Sequence, residues 1–189
     1  NLRLYQDIIP VSAEDYCQSV PGLASRILQP DPELVKSQMS QGASLVLNSI
    51  DTISPGIQAV ADLLEQTLKG YTQLNLYCSF AGHKAFDSHF DTHEVFALHI
   101  EGKKIWNIYE GRLDNPVHHK TFLDLSTEQH LQNRRQPLME VHMTPGDLLY
   151  IPRGQYHDAL ASSSATLHLT FGVISVRGLD LFALMEDEA

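Results

Sequence analysis

Two short stretches of this chain carry side chains that could hold a metal ion. His89-Phe90-Asp91 sets an imidazole and a carboxylate two residues apart, and in extended backbone such residues project from the same face. Farther on, residues 146–157 read GDLLYIPRGQYH. That run is a glycine, a strand-like stretch, a turn built on Pro152 and Gly154, and then His157 at the start of a returning strand. Two histidines and one aspartate are the donor set of a non-haem iron(II) centre, in which three ligands on one face leave positions open for co-substrate and dioxygen. Structural zinc sites are closed and tetrahedral, and calcium and magnesium prefer all-oxygen shells. Fe(II) is therefore the expected metal, with His89, Asp91 and His157 as its ligands and as the catalytic residues.

Those residues need a scaffold, and the hydrophobic period indicates one. The first 70 residues read as mixed elements. Asp31-Pro32 opens a short helix through Met39, SLVLNSI (44–50) reads as a strand, and Ser54-Pro55 begins a second helix. Ile57, Val60, Leu63, Leu64 and Leu68 give that helix an apolar stripe, with Gly70 as its C-terminal stop. Beyond Gly70 the period changes to two. Strands are predicted at 73–80, 95–100, 103–109, 147–151 and 165–175, separated by Gly-, Pro- and Asp-containing turns. The polar stretch 110–139 reads as a long loop with a short helix near Ser126–Asn133, an insertion of the kind that covers a binding site.

This order of elements predicts a mainly β fold, an antiparallel double-sheet barrel of the jelly-roll type with N-terminal helices flanking it. In 73–80, Leu74, Leu76, Cys78 and Phe80 alternate with Gln73, Asn75, Tyr77 and Ser79; in 165–173, Leu167, Leu169, Phe171 and Val173 alternate with Thr166, His168 and Thr170. A half-buried strand commonly turns its polar face to solvent. If these polar faces point inward instead, the barrel encloses a polar cavity suited to a charged cofactor.

A chain of 189 residues suits one domain with a hydrophobic core of its own. The expected division is mixed elements over 1–70, a barrel core over 71–176, and the start of an amphipathic C-terminal helix over 177–189 that stops abruptly, as at the edge of a longer protein. With 43% hydrophobic and 19% charged residues the composition is that of a globular protein. No run approaches the ~20 apolar residues of a membrane span. Cys17 and Cys78 are too few for a disulfide framework, so a reducing, cytoplasmic setting is expected. A formal charge of −10 argues against a large nucleic-acid footprint and fits a basic partner.

The stretch NLYCSFAGHKAFDSHFDTHEVFALHIEGKKIWNIY (75–109), together with GDLLYIPRGQYHDA, resembles the JmjC/cupin-4 oxygenases, and among them the ribosomal oxygenases most. The resemblance runs over roughly residues 40–176. It implies a double-stranded β-helix (cupin) barrel and a dioxygenase that couples 2-oxoglutarate decarboxylation to hydroxylation of a protein side chain, with ribosomal proteins as candidate substrates. By the same likeness His89, Asp91 and His157 bind iron, and Lys104 binds the distal carboxylate of 2-oxoglutarate. Asn75 lies near the co-substrate, Tyr77 faces the substrate, and His168 and Thr170 line the cofactor pocket. Assembly as a homodimer through a C-terminal region only partly present is a further expectation.

Parity supports Lys104 independently. It shares alternation with core-like Trp106 and Ile108, whereas Lys103 falls on the other face. A cation inside the barrel could hold the far end of a dicarboxylate whose near end chelates iron. Other residues read structurally: His93 and Glu94 at a strand edge near the mouth, His99 as a barrel histidine with its hydrogen bonds satisfied, His118, His119 and His130 as solvated, Trp106 as core. The rival functions are methyl-lysine demethylation, oxidation of a tRNA base, a cupin metalloenzyme without 2-oxoglutarate, and a non-catalytic binding module; fold and triad alone do not choose a substrate.

Overall fold

The computed structural model describes residues 1–23, 25–178 and 180. In chain order it contains β1 (Leu2–Gln6), β2 (Ile9–Pro10), a 3-10 turn (Ala13–Asp15), β3 (Cys17–Pro21), β4 (Arg26–Pro30), α1 (Pro32–Ser40), β5 (Ser44–Leu47) and α2 (Pro55–Leu68). There follow β6 (Gly70–Phe80), β7 (Glu94–Glu101), β8 (Lys104–Arg112), α3 (Lys120–Leu123), α4 (Thr127–Arg134), β9 (Pro137–Met143), β10 (Leu148–Ile151), β11 (Gln155–Ala161) and β12 (Ala165–Ser175). The expected C-terminal helix over 177–189 falls largely outside the described residues.

The strands form a larger sheet, ordered β10-β7-β12-β6-β5-β1-β2, a smaller one, β11-β8-β9, and a separate β3-β4 pair, every pairing antiparallel. Around the cavity the chain runs through β6 and β7 in the larger sheet and β8 and β9 in the smaller, then switches sheet at each of β10, β11 and β12, which gives the double-stranded β-helix. β12 runs the full length of β6, from Ala165 opposite Phe80 to Ser175 opposite Gly70. The pairing sets Thr170 beside Asn75 and His168 beside Tyr77.

Helix α2 decides which face of the larger sheet turns inward. Its Ser54 N-cap accepts from the Ile57 N–H, and Pro55 occupies the first turn. Ile57 and Leu64 pack on Leu74, Leu169 and Phe171 of β6 and β12, with Phe96 and Leu98 of β7 beside them. The apolar face of the sheet is thus covered from outside, and the polar face is left to look at β8 and β11. Only part of the predicted stripe is used, since Val60, Leu63 and Leu68 remain exposed.

Several local expectations are corrected. Helix α2 ends at Lys69, whose left-handed φ of 54° lets its N–H reach the Glu65 carbonyl. Gly70 is not the helix stop but the first residue of β6, where a Cβ would come within 2.5 Å of the Ile174 carbonyl oxygen. His89-Phe90-Asp91 lies outside the named strands, in an extended segment tied to β11 by one antiparallel bridge, His89 to His157. Strands β1 to β4 were not foreseen, and β9 begins inside the stretch assigned to a loop. The short helix near Ser126 is present as α4, with a full capping box between Ser126 and Gln129.

Candidate active site

The polar face of the larger sheet and the facing strands enclose a cavity of about 320 Å³. Every site residue singled out from the sequence lines it: Asn75 and Tyr77 from β6, His89 and Asp91 from the segment before β7, Lys104 from β8, His157 from β11, and His168 and Thr170 from β12. One ligand atom from each of His89, Asp91 and His157 lies within 4.8 Å of the others. The Asp91 carboxylate is 3.5 Å from His157 Nε2, and the two imidazole rings are 4.6 Å apart between centroids.

Backbone carbonyls orient both histidines in the same way. His89 Nδ1 lies 2.8 Å from the Asp87 carbonyl oxygen, and His157 Nδ1 lies 3.0 Å from that of Gln155. With Nδ1–H donated to the carbonyl two residues upstream, Nε2 keeps its lone pair for a metal. Burial, with the neighbouring His89, pushes the His157 imidazole down to about 4 against the pull of Asp91, so it is neutral near pH 7. Burial pushes the Asp91 carboxyl up, but His89, His157 and His93 together outweigh it and leave it below its ordinary value. A neutral His157 imidazole beside an ionised Asp91 carboxylate suits a divalent ion, whose ligands must bind deprotonated.

Lys104 is 5% exposed while Lys103 is exposed, as parity required. Its Nζ lies 3.3 Å from His168 Nδ1 and 5.9 Å from the Trp106 ring centroid. No carboxylate pairs with it among the described residues. Burial pushes the Lys104 ammonium down to about 7, with Cys78 drawing it the other way. His168 is held well below its ordinary value by burial, by Lys104 and by His99, so it is a neutral acceptor for the ammonium. Tyr77 stacks on His168 at 4.8 Å, and burial, aided by Asp91, pushes its hydroxyl up to about 12. A buried cation without an acidic partner is costly, and an anion in this cavity would relieve it.

Other residues were assigned too little. Gln73, Ser79, Phe86 and Trp106 also line the cavity. Gln73 and Ser79 follow from the same alternation as Asn75, whereas nothing periodic marks Phe86, which packs against Tyr5, Tyr77 and His89. Trp106 belongs to the core cluster with Val95, Ile108 and Met143 while its ring also forms cavity wall. His99 is buried, with Nε2 on the Gly102 carbonyl at 3.1 Å, but its Nδ1 has no partner among the described residues, so it is only half satisfied. His130 is not simply solvated: its Nδ1 meets the Tyr156 hydroxyl at 3.0 Å.

A second cleft, of about 740 Å³, opens beside the first. Gln73, Asp91 and His93 line both, while His118, Phe122, Leu123 and His130 of the insertion line the outer one alone.

Residues 48–181, more than half of the chain, match a family model described as "JmjC domain". A bifunctional lysine-specific demethylase and histidyl-hydroxylase NO66 of Dictyostelium discoideum is 32% identical over 140 residues, which is 74% of this chain and 27% of that protein. Ribosomal oxygenase 1 of Rattus norvegicus is 30% identical over 140 residues, 74% of this chain and 23% of that protein. The chain thus spans about a quarter of the length of these curated relatives. The Escherichia coli ribosomal oxygenase YcfD, in a structure with cobalt and 2-oxoglutarate, matches with a TM-score of 0.60 at 18% identity, over 99% of this chain and 43% of that one. That likeness is one of fold.

Proposed function

The chain belongs to the JmjC domain family, and on that premise we propose that it is an Fe(II)- and 2-oxoglutarate-dependent oxygenase that hydroxylates a protein side chain. The observation that carries this reading is one cavity holding both a His-Asp-His ligand set and a buried ammonium with no acidic partner among the described residues. His89 and His157 offer Nε2, and Asp91 a carboxylate oxygen, to iron. Lys104 holds the distal carboxylate of 2-oxoglutarate by a charge-assisted hydrogen bond, and Asn75, His168 and Thr170 form the wall around the co-substrate. Iron(II), when bound, would activate dioxygen as the oxidant, with 2-oxoglutarate as co-reductant: one oxygen atom would go into the succinate formed with carbon dioxide, and the other into a substrate C–H bond.

The protein's own part is to position these groups and to keep water out. The outer cleft gives a polypeptide access to the metal, because Asp91 and His93 line both spaces, and Tyr77 faces the substrate. A net charge of −10 favours a basic protein partner, with ribosomal proteins the first candidates. Two free cysteines suit a reducing, cytoplasmic setting, and among the described residues no helix is long and apolar enough to cross a membrane.

The test is turnover of 2-oxoglutarate by the purified protein with ribosomal proteins, followed by peptide mass spectrometry. Iron-dependent succinate formation, lost in Asp91→Ala, and the gain of one oxygen atom on an unmethylated residue are expected. Loss of a methyl group from a methyl-lysine peptide with release of formaldehyde would replace hydroxylation by demethylation. Succinate formation that persists in Asp91→Ala would remove the triad from the mechanism.

A further inference from the structure

The two halves of the ligand set come from segments with little backbone connection. His89 N–H donates to the His157 carbonyl at 3.0 Å, His157 N–H donates to the His89 carbonyl at 2.8 Å, and the Gly154 N–H reaches the Asp91 carbonyl at 2.8 Å. Three backbone bonds at an isolated bridge leave the spacing between the halves soft compared with a strand ladder. The chain must fix it by other means.

Alternation shows where. Because His89 and His157 point into the cavity, their neighbours Ser88 and Asp158 point to the opposite side, and the antiparallel bridge sets these two across from one another. Both are polar and both are buried. Asp158 accepts from the Tyr109 hydroxyl at 2.6 Å and from Asn107 Nδ2 at 2.8 Å, and it pairs with Lys84 Nζ at 3.6 Å. Ser88 Oγ accepts from Arg134 Nη1 at 3.1 Å, and the Arg134 guanidinium lies 4.7 Å from the Tyr109 ring centroid. These contacts close a ring behind the ligands: Ser88, Arg134, Tyr109, Asp158, Lys84, and back to the segment that carries Ser88.

Arg134 is the last residue of α4, so this ring draws on the insertion between β8 and β9. The insertion is seated for that role. A Cβ at Gly111 would come within 1.8 Å of the Asn133 carbonyl oxygen and 2.6 Å of that of Arg134, so the end of α4 lies directly on the β8 backbone.

We propose that Arg134 is a positioning residue for the metal centre, setting the distance between the His89–Asp91 segment and the His157 strand through Ser88, Tyr109 and Asp158. The inference rests on the metal reading of the triad. It gives the insertion a duty beyond lining the outer cleft, and it makes the ligand geometry depend on a side chain that touches neither metal nor substrate.

The experiment is titration of metal-free protein with Mn(II), followed by electron paramagnetic resonance, alongside thermal unfolding of the same metal-free samples. Groups that orient metal ligands are typically worth on the order of tenfold to a hundredfold in metal affinity, so Arg134→Leu should weaken Mn(II) binding by at least about tenfold. Arg134→Lys, which keeps a donor for Ser88, should recover part of the loss, and Gln132→Ala on the exposed side of α4 should match wild type. Ser88→Ala is the milder variant should Arg134→Leu fail to fold. It should reproduce most of the loss, and the Ser88→Ala, Arg134→Leu pair should cost less than the product of the single effects, as expected for groups in one network. Wild-type affinity in Arg134→Leu or Ser88→Ala, whatever happens to the melting temperature, would overturn the proposal. Absence of Mn(II) binding to wild type would overturn the metal reading itself.

Discussion

A lysine buried beside a neutral histidine, with no carboxylate pairing with it among the described residues, is an unstable arrangement by itself, and Lys104 makes that cost measurable. Its ammonium is pushed from 10.5 to about 7 in the folded chain. Between those values the unfolded chain carries a proton that the folded chain has lost, so Lys104 should make the stability of the metal-free protein rise with pH over this window. Denaturant unfolding at a series of pH values should show the rise, and Lys104→Met should abolish it. The same substitution should weaken 2-oxoglutarate binding to Mn(II)-loaded protein by roughly tenfold to a hundredfold, the worth of a hydrogen bond to a charged group. Lys103→Ala should change neither. Equal effects from the two lysines would reject the parity argument.

At the level of elements, the turn between β10 and β11 couples backbone conformation to the site. Gly154 has φ of +83°, and a Cβ there would meet the Leu113 carbonyl oxygen at 2.1 Å and Pro116 Cδ at 3.0 Å. Its N–H also holds the Asp91 carbonyl. Gly146, in the turn before β10, has a comparable φ of +96° but open space around the same position. Gly146→Ala should therefore cost only the strain of a left-handed residue, about 1–2 kcal/mol, with Mn(II) affinity unchanged. Gly154→Ala should cost more in unfolding experiments and weaken Mn(II) binding too, because the turn must shift and Asp91 shifts with it. Matching effects from the two glycines would show that strain, not contact with the metal segment, decides the outcome.

Over the whole molecule, the larger sheet has two faces with separate duties. Leu74 is fully buried beneath α2, while its neighbour Asn75 lines the cavity. Leu74→Ala should destabilise by about 2–5 kcal/mol, as for other large-to-small core changes. The KM for 2-oxoglutarate should stay near wild type at temperatures where the variant remains folded. A rise in KM comparable to that of Lys104→Met would mean that packing under the helix shapes the cavity directly.

What was legible in the sequence was whatever has a local period or a local stop signal. A spacing of two puts His89 with Asp91 and Lys104 with Trp106, and Ser54-Pro55 starts α2. Pro152 and Gly154 return the chain at His157. Each of these follows from backbone geometry within a few residues, so it survives without knowledge of the fold. The N-terminal strands β1 to β4 were not legible, because their burial is irregular and β4 is exposed throughout. Alternation divided β6 and β12 into two faces, but the packing of α2 on Leu74, Leu169 and Phe171 decided which one turns inward. Likewise Ser88, Asp158 and Arg134 carry no shared spacing. They meet only because an antiparallel bridge and a seated helix bring distant segments behind the same two histidines, and contacts of that range are properties of the tertiary structure alone.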